Sequence, residues 1–407
     1  MNHPHFLDYG RPWLGEEEIQ AVTEVLRGTA LTQGPVVRQF ESELARKVGA
    51  PHAVSVASGT AALHIASLAL GLGPGDAVLV PAQTFAATAN ALLYVRATPV
   101  FADIDPRTLC VSVETLRRAL EEARRGGLRP RAIYVVHYAG RPCPMEEIWE
   151  FAERQGLVVV EDACHALGAE LHLGGTTVPV GGSPRSAFVV YSFHPVKHIT
   201  TGEGGALSTF DESLARRARA LSSHGIVREP ALFQNHELAW EPGQQGPNPW
   251  YHEMQMLGLN YRMSDVVAAL GRAQLGRLGP GLERRRAIAE RYRRDLASLE
   301  GLTLPPGDSE SGRHAYHLFA LRLDFERLGR SRKSVMEALR ARGIGSQVHY
   351  LPVPWHPYYR DNPGLWLGRE LPEAARFYRS TLSIPLFPQM TEDDVGRVVT
   401  ALAELLA

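Results

Sequence analysis

Three short segments of this chain hold residue types that do chemistry. The first runs Tyr191-Ser-Phe-His-Pro-Val-Lys197-His-Ile-Thr-Thr-Gly-Glu-Gly-Gly205: a lysine follows one apolar run, and a glycine-rich turn leads into the next. A lysine held between buried strands is partly desolvated, which lowers its pKa and exposes the lone pair that a Schiff base needs. His194 and His198 add like charge nearby and push the same way. A surface-loop lysine is the plainer alternative. The second segment is Val160-Glu-Asp162-Ala-Cys-His165, with Asp162 at the C-terminal end of an apolar run, where open α/β sheets place their ligands. A carboxylate there can hold a pyridinium proton and keep the ring an electron sink; it can equally cap the next segment. The third is Val56-Ala-Ser58-Gly59-Thr60, a strand end, a glycine and a helix start. Free N–H groups and the dipole at a helix N-terminus attract phosphate, and the hydroxyls of Ser58 and Thr60 add donors. An ordinary capped helix start has the same sequence.

Taken together, a Schiff-base lysine, a pyridinium partner and a phosphate seat are what pyridoxal 5'-phosphate (PLP) requires, and Ser192 is placed to reach the same phosphate. Competing chemistries lack their residues. There is no H-E-x-x-H, no C-x-x-C and no G-x-x-x-x-G-K-[ST], and the 16 histidines are dispersed, so no metal is expected. Lys plus Arg number 43 and Asp plus Glu 44, which gives no global attraction to nucleic acid or acidic membranes. The run Arg284-Arg-Arg286 lies among acidic residues and reads as a solvated helix face. Three cysteines, Cys110, Cys143 and Cys164, make no disulfide framework and fit a reducing cytoplasm. Met1 to His5 lacks the basic and apolar regions of a signal peptide. The longest apolar run, Ala61 to Leu72, is interrupted by His64 and Ser67 and is too short to span a bilayer.

The elements that must position these residues follow from the alternation of apolar runs and amphipathic stretches. Strands are expected at 53–57, 77–80, 99–102, 132–136, 157–160, 187–191 and 205–208, and helices at 61–72, 86–95, 113–124, 145–153 and 212–221. Repeated strand–helix units make an α/β fold with a mainly parallel sheet, and continuous Val/Ile/Leu runs suit strands buried on both faces. Gly225 to Gln255, rich in Pro, Gly, Gln and Trp, reads as a long loop, functional or mobile. A long helix is expected over 282–299. Beyond it a small α+β unit has strands at 316–323 and 345–350, a helix at 334–342, and a final helix opened by a Thr391/Asp394 capping box. A chain of 407 residues exceeds one core, so two domains are expected, residues 1–280 and 281–407.

At these residues the sequence resembles the DegT/StrS-type sugar-nucleotide aminotransferases, of PLP fold type I, from about Tyr9 to the C-terminus. The segments that carry the resemblance include Leu31-Thr-Gln-Gly34, Thr84-Phe-Ala-Ala-Thr-Ala-Asn90, Ser192-Phe-His-Pro-Val-Lys197, Gly258-Leu-Asn-Tyr-Arg-Met263 and Gly345-Ser-Gln-Val-His-Tyr350. Within the family, His165-Ala-Leu-Gly168 is most similar to the pseudaminic acid branch, since much of the wider family has Gln at the first position. The resemblance implies that Lys197 carries PLP and moves the proton, Asp162 pairs with the pyridine nitrogen, and Phe85 stacks on the ring. It gives the phosphate to Ser58, Gly59, Thr60 and Ser192, and the ring hydroxyl to His165. Asn260 would reach the phosphate of a neighbouring subunit, making the active unit a homodimer. Tyr9, the segment Thr29, Ala30, Leu31 and Thr32, and Gln347, Val348, His349 and Tyr350 would line the sugar-nucleotide site. The implied reaction moves an amino group from L-glutamate to a 4-keto-6-deoxy UDP-N-acetyl sugar. The chain departs from that branch at His198, where Pro is usual, and in the length of Arg228 to Trp250. Other readings are another 3- or 4-ketosugar aminotransferase, a PLP sugar dehydratase, in which a His replaces the lysine, and a non-enzymatic regulator; Lys197 and Asp162 speak against the last two.

Overall fold

The computed structural model describes residues 6–406; the expected lack of a leader at Met1 to His5 falls outside them. Two helices, α1 (Glu16–Arg27) and α2 (Pro35–Val48), precede the first strand, β1 (His52–Val56). Alternation then follows: α3 (Gly59–Ala69), β2 (Asp76–Pro81), α4 (Ala86–Tyr94), β3 (Thr98–Ala102), α5 (Val113–Arg125), β4 (Arg129–Val136), α6 (Met145–Gln155) and β5 (Val158–Asp162). A hairpin, β6 (Glu170–Leu173) with β7 (Thr176–Pro179), intervenes before β8 (Phe188–Ser192), β9 (Gly205–Thr209) and α7 (Glu212–Ser222).

Seven of these strands form one sheet in the order β1-β9-β8-β5-β4-β2-β3. All run parallel except β9, which is antiparallel to both β1 and β8. Val78, Leu79 and Val80 of β2, Ile133 and Val135 of β4 and Val189 and Val190 of β8 are buried, as strands covered on both faces must be. The mixed, mainly parallel sheet with helices on both faces is the expected fold, and most elements lie within two or three residues of their expected bounds.

The chain from 225 to 255 contains short elements rather than a bare loop: β10 (Ile226–Val227), α8 (His236–Ala239) and β11 (Glu253–Met254), with β10 paired to β11. The long helix, α9 (Asp265–Leu296), is a correction to the expected 282–299. It starts where Ser264 caps it and runs through Gly271, Gly276, Gly279 and Pro280, residues that read as breakers. Packing decides otherwise, because α1, α2 and the C-terminal helix all lie along it. Beyond it come β12 (Leu302–Thr303), β13 (Gly312–Arg313), β14 (Phe319–Leu323), α10 (Arg332–Ala341), α11 (Pro357–Asp361), α12 (Pro372–Ser380), β15 (Thr381–Ile384) and α13 (Glu392–Leu406). The Thr391 and Asp394 side chains accept each other's backbone N–H at 3.1 and 3.0 Å, so the final capping box is present. The expected strand over 345–350 is not formed. Only Gln347 bridges to Ser383, and the His349 carbonyl is taken by side chains, Gln83 Nε2 at 2.8 Å and Tyr138 OH at 2.6 Å.

Two apolar clusters result. The larger surrounds the seven-stranded sheet and also takes in Val353, Tyr359, Trp366 and Phe377 from late in the chain. The smaller joins Leu7, Ile288 and Tyr292 to β14, β15, α10 and α13. Among the described residues no helix is long and apolar enough to cross a membrane, and no His/Cys/Asp/Glu group could hold a metal ion.

Candidate active site

A cavity of about 610 Å³ opens at the C-terminal ends of the parallel strands. Asp162 ends β5, and Lys197 sits in the tight connection between β8 and β9. That connection is pinned from within: Thr201 N and Thr200 Oγ1 both donate to the Phe193 carbonyl, at 2.9 and 3.0 Å. Lys197 and Asp162 line the same cavity, with Ser58, Gly59, Thr60, Phe85, His165 and Ser192. Tyr9, Gln347, Val348, His349 and Tyr350 complete the mouth.

The Asp162 carboxylate is fixed by two donors. Thr88 Oγ1 gives Oδ2 a bond of 2.7 Å, and the Cys164 N–H gives Oδ1 one of 3.1 Å. Lys197 makes no hydrogen bond or ion pair with a described side chain. Burial pushes its pKa below the ordinary lysine value, and the charges of Cys164 and Asp162 oppose part of that push. The third corner is the start of α3. Ser58 Oγ accepts the Ala61 N–H at 3.1 Å, leaving the N–H groups of Gly59 and Thr60 for a ligand. A side chain at Gly59 would meet Ser192 Cβ at 2.9 Å and Cys164 Sγ at 3.3 Å. The helix start therefore presses against Ser192, and the serine hydroxyl shares its cradle.

His165 Nδ1 accepts the Ala139 N–H at 3.3 Å, and its Nε2 stands 3.0 Å from Tyr350 OH. Burial first, then the Lys197, His349 and His198 charges, holds the ring far below the usual imidazole range, so it is neutral. A neutral ring that accepts at Nδ1 carries its hydrogen on Nε2 and donates to Tyr350 Oη. The phenol, raised well above its ordinary pKa by burial, keeps its own hydrogen for a further acceptor. Burial likewise drives His349 down to about 3. Phe85 is 59 % exposed and lines the cavity with its ring tilted 56° to that of Tyr350, centroids 5.8 Å apart.

Two groups of expected site residues stand elsewhere. Thr29 and Ala30 line a separate cleft with α1, α2 and α9, and Leu31 and Thr32 lie against the start of α9; all four are exposed. Asn260 is exposed and bridges to Ser223. Sequence reasoning missed Thr88, Cys164 and His317 as cavity residues. Thr88 stands one helical turn from Thr84 in a segment already singled out, a visible signal. His317 shows only as a polar residue in an apolar strand-like run.

The donor set fits PLP: an acidic partner at one end, a phosphate cradle at the other, and a desolvated amine on the same wall. Bound there, PLP supplies an electron-poor ring that draws charge from the carbon carrying the nitrogen. A fold and a site of this kind define a PLP-dependent aminotransferase. Over residues 12–403 the sequence matches the model of the DegT/DnrJ/EryC1/StrS aminotransferase family, and the chain belongs to that family. It is 40% identical over 403 residues to the spore coat polysaccharide biosynthesis protein SpsC of Bacillus subtilis, covering 99% of this chain and 97% of that protein. Its fold matches Helicobacter pylori PseC, an aminotransferase involved in the biosynthesis of pseudoaminic acid. The TM-score is 0.84 at 26% identity, over 98% of this chain and 99% of that one. It also matches the PLP form of the Streptococcus pneumoniae sugar aminotransferase Spr1654, again with a TM-score of 0.84 at 26% identity, over 99% and 100%.

Proposed function

We propose that this aminotransferase moves an amino group from L-glutamate to the keto carbon of a 4-keto-6-deoxy UDP-N-acetyl sugar. The observation that carries the reading is the meeting of Lys197, Asp162 and the start of α3 in one cavity whose mouth is built from Tyr9 and Gln347 to Tyr350. His165 and the PseC match support the 4-keto sugar. Lys197 anchors the cofactor, and once released its Nζ carries the proton that leaves or joins the substrate carbon. Asp162, oriented by Thr88, holds the ring nitrogen protonated. Ser58, Gly59, Thr60 and Ser192 hold the phosphate, and Phe85 covers the ring face.

The active unit is a homodimer in which Asn260 and Thr29 to Thr32 complete the partner's site. Exposed apolar side chains beside Asn260 support this: Leu257 is 84 % and Met254 65 % exposed on the single chain. The test begins with glutamate alone, which bleaches the absorbance band of the Lys197-linked cofactor and releases 2-oxoglutarate. A panel of keto-sugar nucleotides then yields an aminated 4-keto acceptor by mass spectrometry. Amination of 3-keto sugars only would discard the 4-keto assignment, and an unchanged band would discard transamination from glutamate. Lys197→Ala is expected to abolish both.

A further inference from the structure

Asp162 has a neighbour on the other face of the sheet. β5 is the middle strand of the seven, and alternation along it turns Asp162 to the cavity and Glu161 into the core behind it. Glu161 is 1 % exposed, and both of its oxygens are taken. Oε2 lies 2.8 Å from His137 Nε2, and Oε1 accepts the Ser186 hydroxyl at 2.5 Å. The hydrogens of this cluster follow from its partners. His137 Nδ1 accepts the Cys143 N–H at 3.1 Å, so the ring hydrogen sits on Nε2 and is donated to Glu161. Ser186 Oγ accepts the Trp149 indole N–H, a group that can only donate, at 2.8 Å and spends its own hydrogen on Glu161. Glu161 thus receives two hydrogen bonds and gives none, the pattern of a carboxylate. An imidazolium would turn an N–H against the Cys143 N–H, so His137 is neutral and leaves the charge uncancelled. Among the described residues His137 is the sole basic side chain within ion-pair distance of Glu161.

We propose that Glu161 is a second anion of the pyridine site, whose enclosed charge adds to that of Asp162 in holding the cofactor's ring nitrogen protonated. Charges are weakly screened in a dry interior, so an anion one residue behind Asp162 acts on the cavity without touching its occupant. The charge already acts on its surroundings: burial raises the Tyr191 phenol, and Glu161 adds to the rise. An enclosed anion without a cation is costly, and a pyridinium bound against Asp162 relieves part of that cost. His137 also ties the two carboxylates together, since its ring donates to Glu161 and its backbone N–H to the Asp162 carbonyl, at 3.2 Å. Glu161 is thus a positioning residue for the charge of the ring. The inference rests on Asp162 facing the ring nitrogen, and not on the sugar or the amino donor.

The test compares binding of PLP with binding of its carbon analogue, in which C–H replaces the ring nitrogen, by absorbance titration without sugar or amino donor. Damage to the fold weakens both alike; loss of support for the ring charge weakens PLP alone. Asp162→Asn sets the scale and is expected to lower the preference for PLP over the analogue. Glu161→Gln is expected to lower it in the same direction, on the order of tenfold. Glu161→Asp, shorter but still charged, is expected to melt earlier than the parent and to keep the preference. A parent-like preference in Glu161→Gln beside a lowered one in Asp162→Asn overturns this inference alone, as does a Glu161→Asp variant that loses the preference as Glu161→Gln does. A parent-like preference in Asp162→Asn overturns the reading of Asp162 and this inference with it. If Glu161→Gln fails to fold, the nitrogen-15 spectrum of the histidine-labelled parent decides, with the His137 signals assigned by their loss in His137→Asn. Hydrogen on Nε2 alone is expected; hydrogen on both nitrogens would make the pair neutral and overturn the proposal.

Discussion

Lys197 is expensive to place where it is. Its amine is partly withdrawn from water without an ion pair among the described residues, and burial lowers its pKa. The linkage has a definite sign. Between the lowered folded value and the ordinary 10.5, the unfolded chain holds a proton that the folded chain lacks. Stability of the cofactor-free protein therefore rises with pH across that window, and below it the full cost is carried. Lys197→Met removes the cost. The variant is expected to melt on the order of 2 °C above the parent at pH 7 without PLP, with the gain vanishing as pH passes 10.5. A gain that does not change with pH, seen by calorimetry across that range, would mean packing and not charge is responsible. The lysine, Asp162 and the Ser58-Gly59-Thr60 turn were legible because each lies at a strand end, where local sequence alone implies a ligand-facing position. Thr88 and His317 were not, because their roles depend on which distant segments they meet. Nothing local to Thr88 says that its hydroxyl finds Asp162, 74 positions away.

At the scale of elements, the phosphate cradle is a close approach of three backbones. β9 begins at Gly205, and a Cβ there would sit 2.5 Å from the Ser58 carbonyl carbon and 2.6 Å from the Gly59 nitrogen. Neither atom can yield without moving the first turn of α3. Gly205→Ala is expected to cost about 1–3 kcal/mol of stability through overpacking, and to weaken PLP binding by at least about tenfold. Circular dichroism should show the helices and strands intact while absorbance titration shows the loss. Parent-like PLP affinity would remove the first turn of α3 from the phosphate site. The sheet was readable because its strands are continuous apolar runs forced by burial on both faces. Helix α1 gave a weaker pattern; it buries only Glu18 and leaves Ile19 and Leu26 more than half exposed. The segment 345–350 misled for a related reason. It is extended, but the His349 carbonyl is claimed by Gln83 and Tyr138, and Gln347 to Tyr350 line the cavity.

For the whole molecule, the placement of Asn260 and Thr29 to Thr32 outside the chain's own cavity has a consequence that mixing can expose. If Asn260 serves the partner's phosphate, Lys197 and Asn260 of one working site come from different chains. A Lys197→Ala chain then still offers a sound Asn260, and an Asn260→Ala chain still offers a sound Lys197. Each variant alone is defective at every site. When the two are mixed at equal amounts and allowed to exchange, half of the dimers are mixed, and each holds one intact site of two. Turnover is expected to return to about one quarter of the parent value. Separately tagged chains would verify that exchange has occurred, and size measurements that the unit is a dimer. Should mixed dimers form while turnover stays at the sum of the two variants, Asn260 does not act across the interface. The exposed Leu257 and Met254 would then need another partner, and the cavity on each chain would have to be complete by itself.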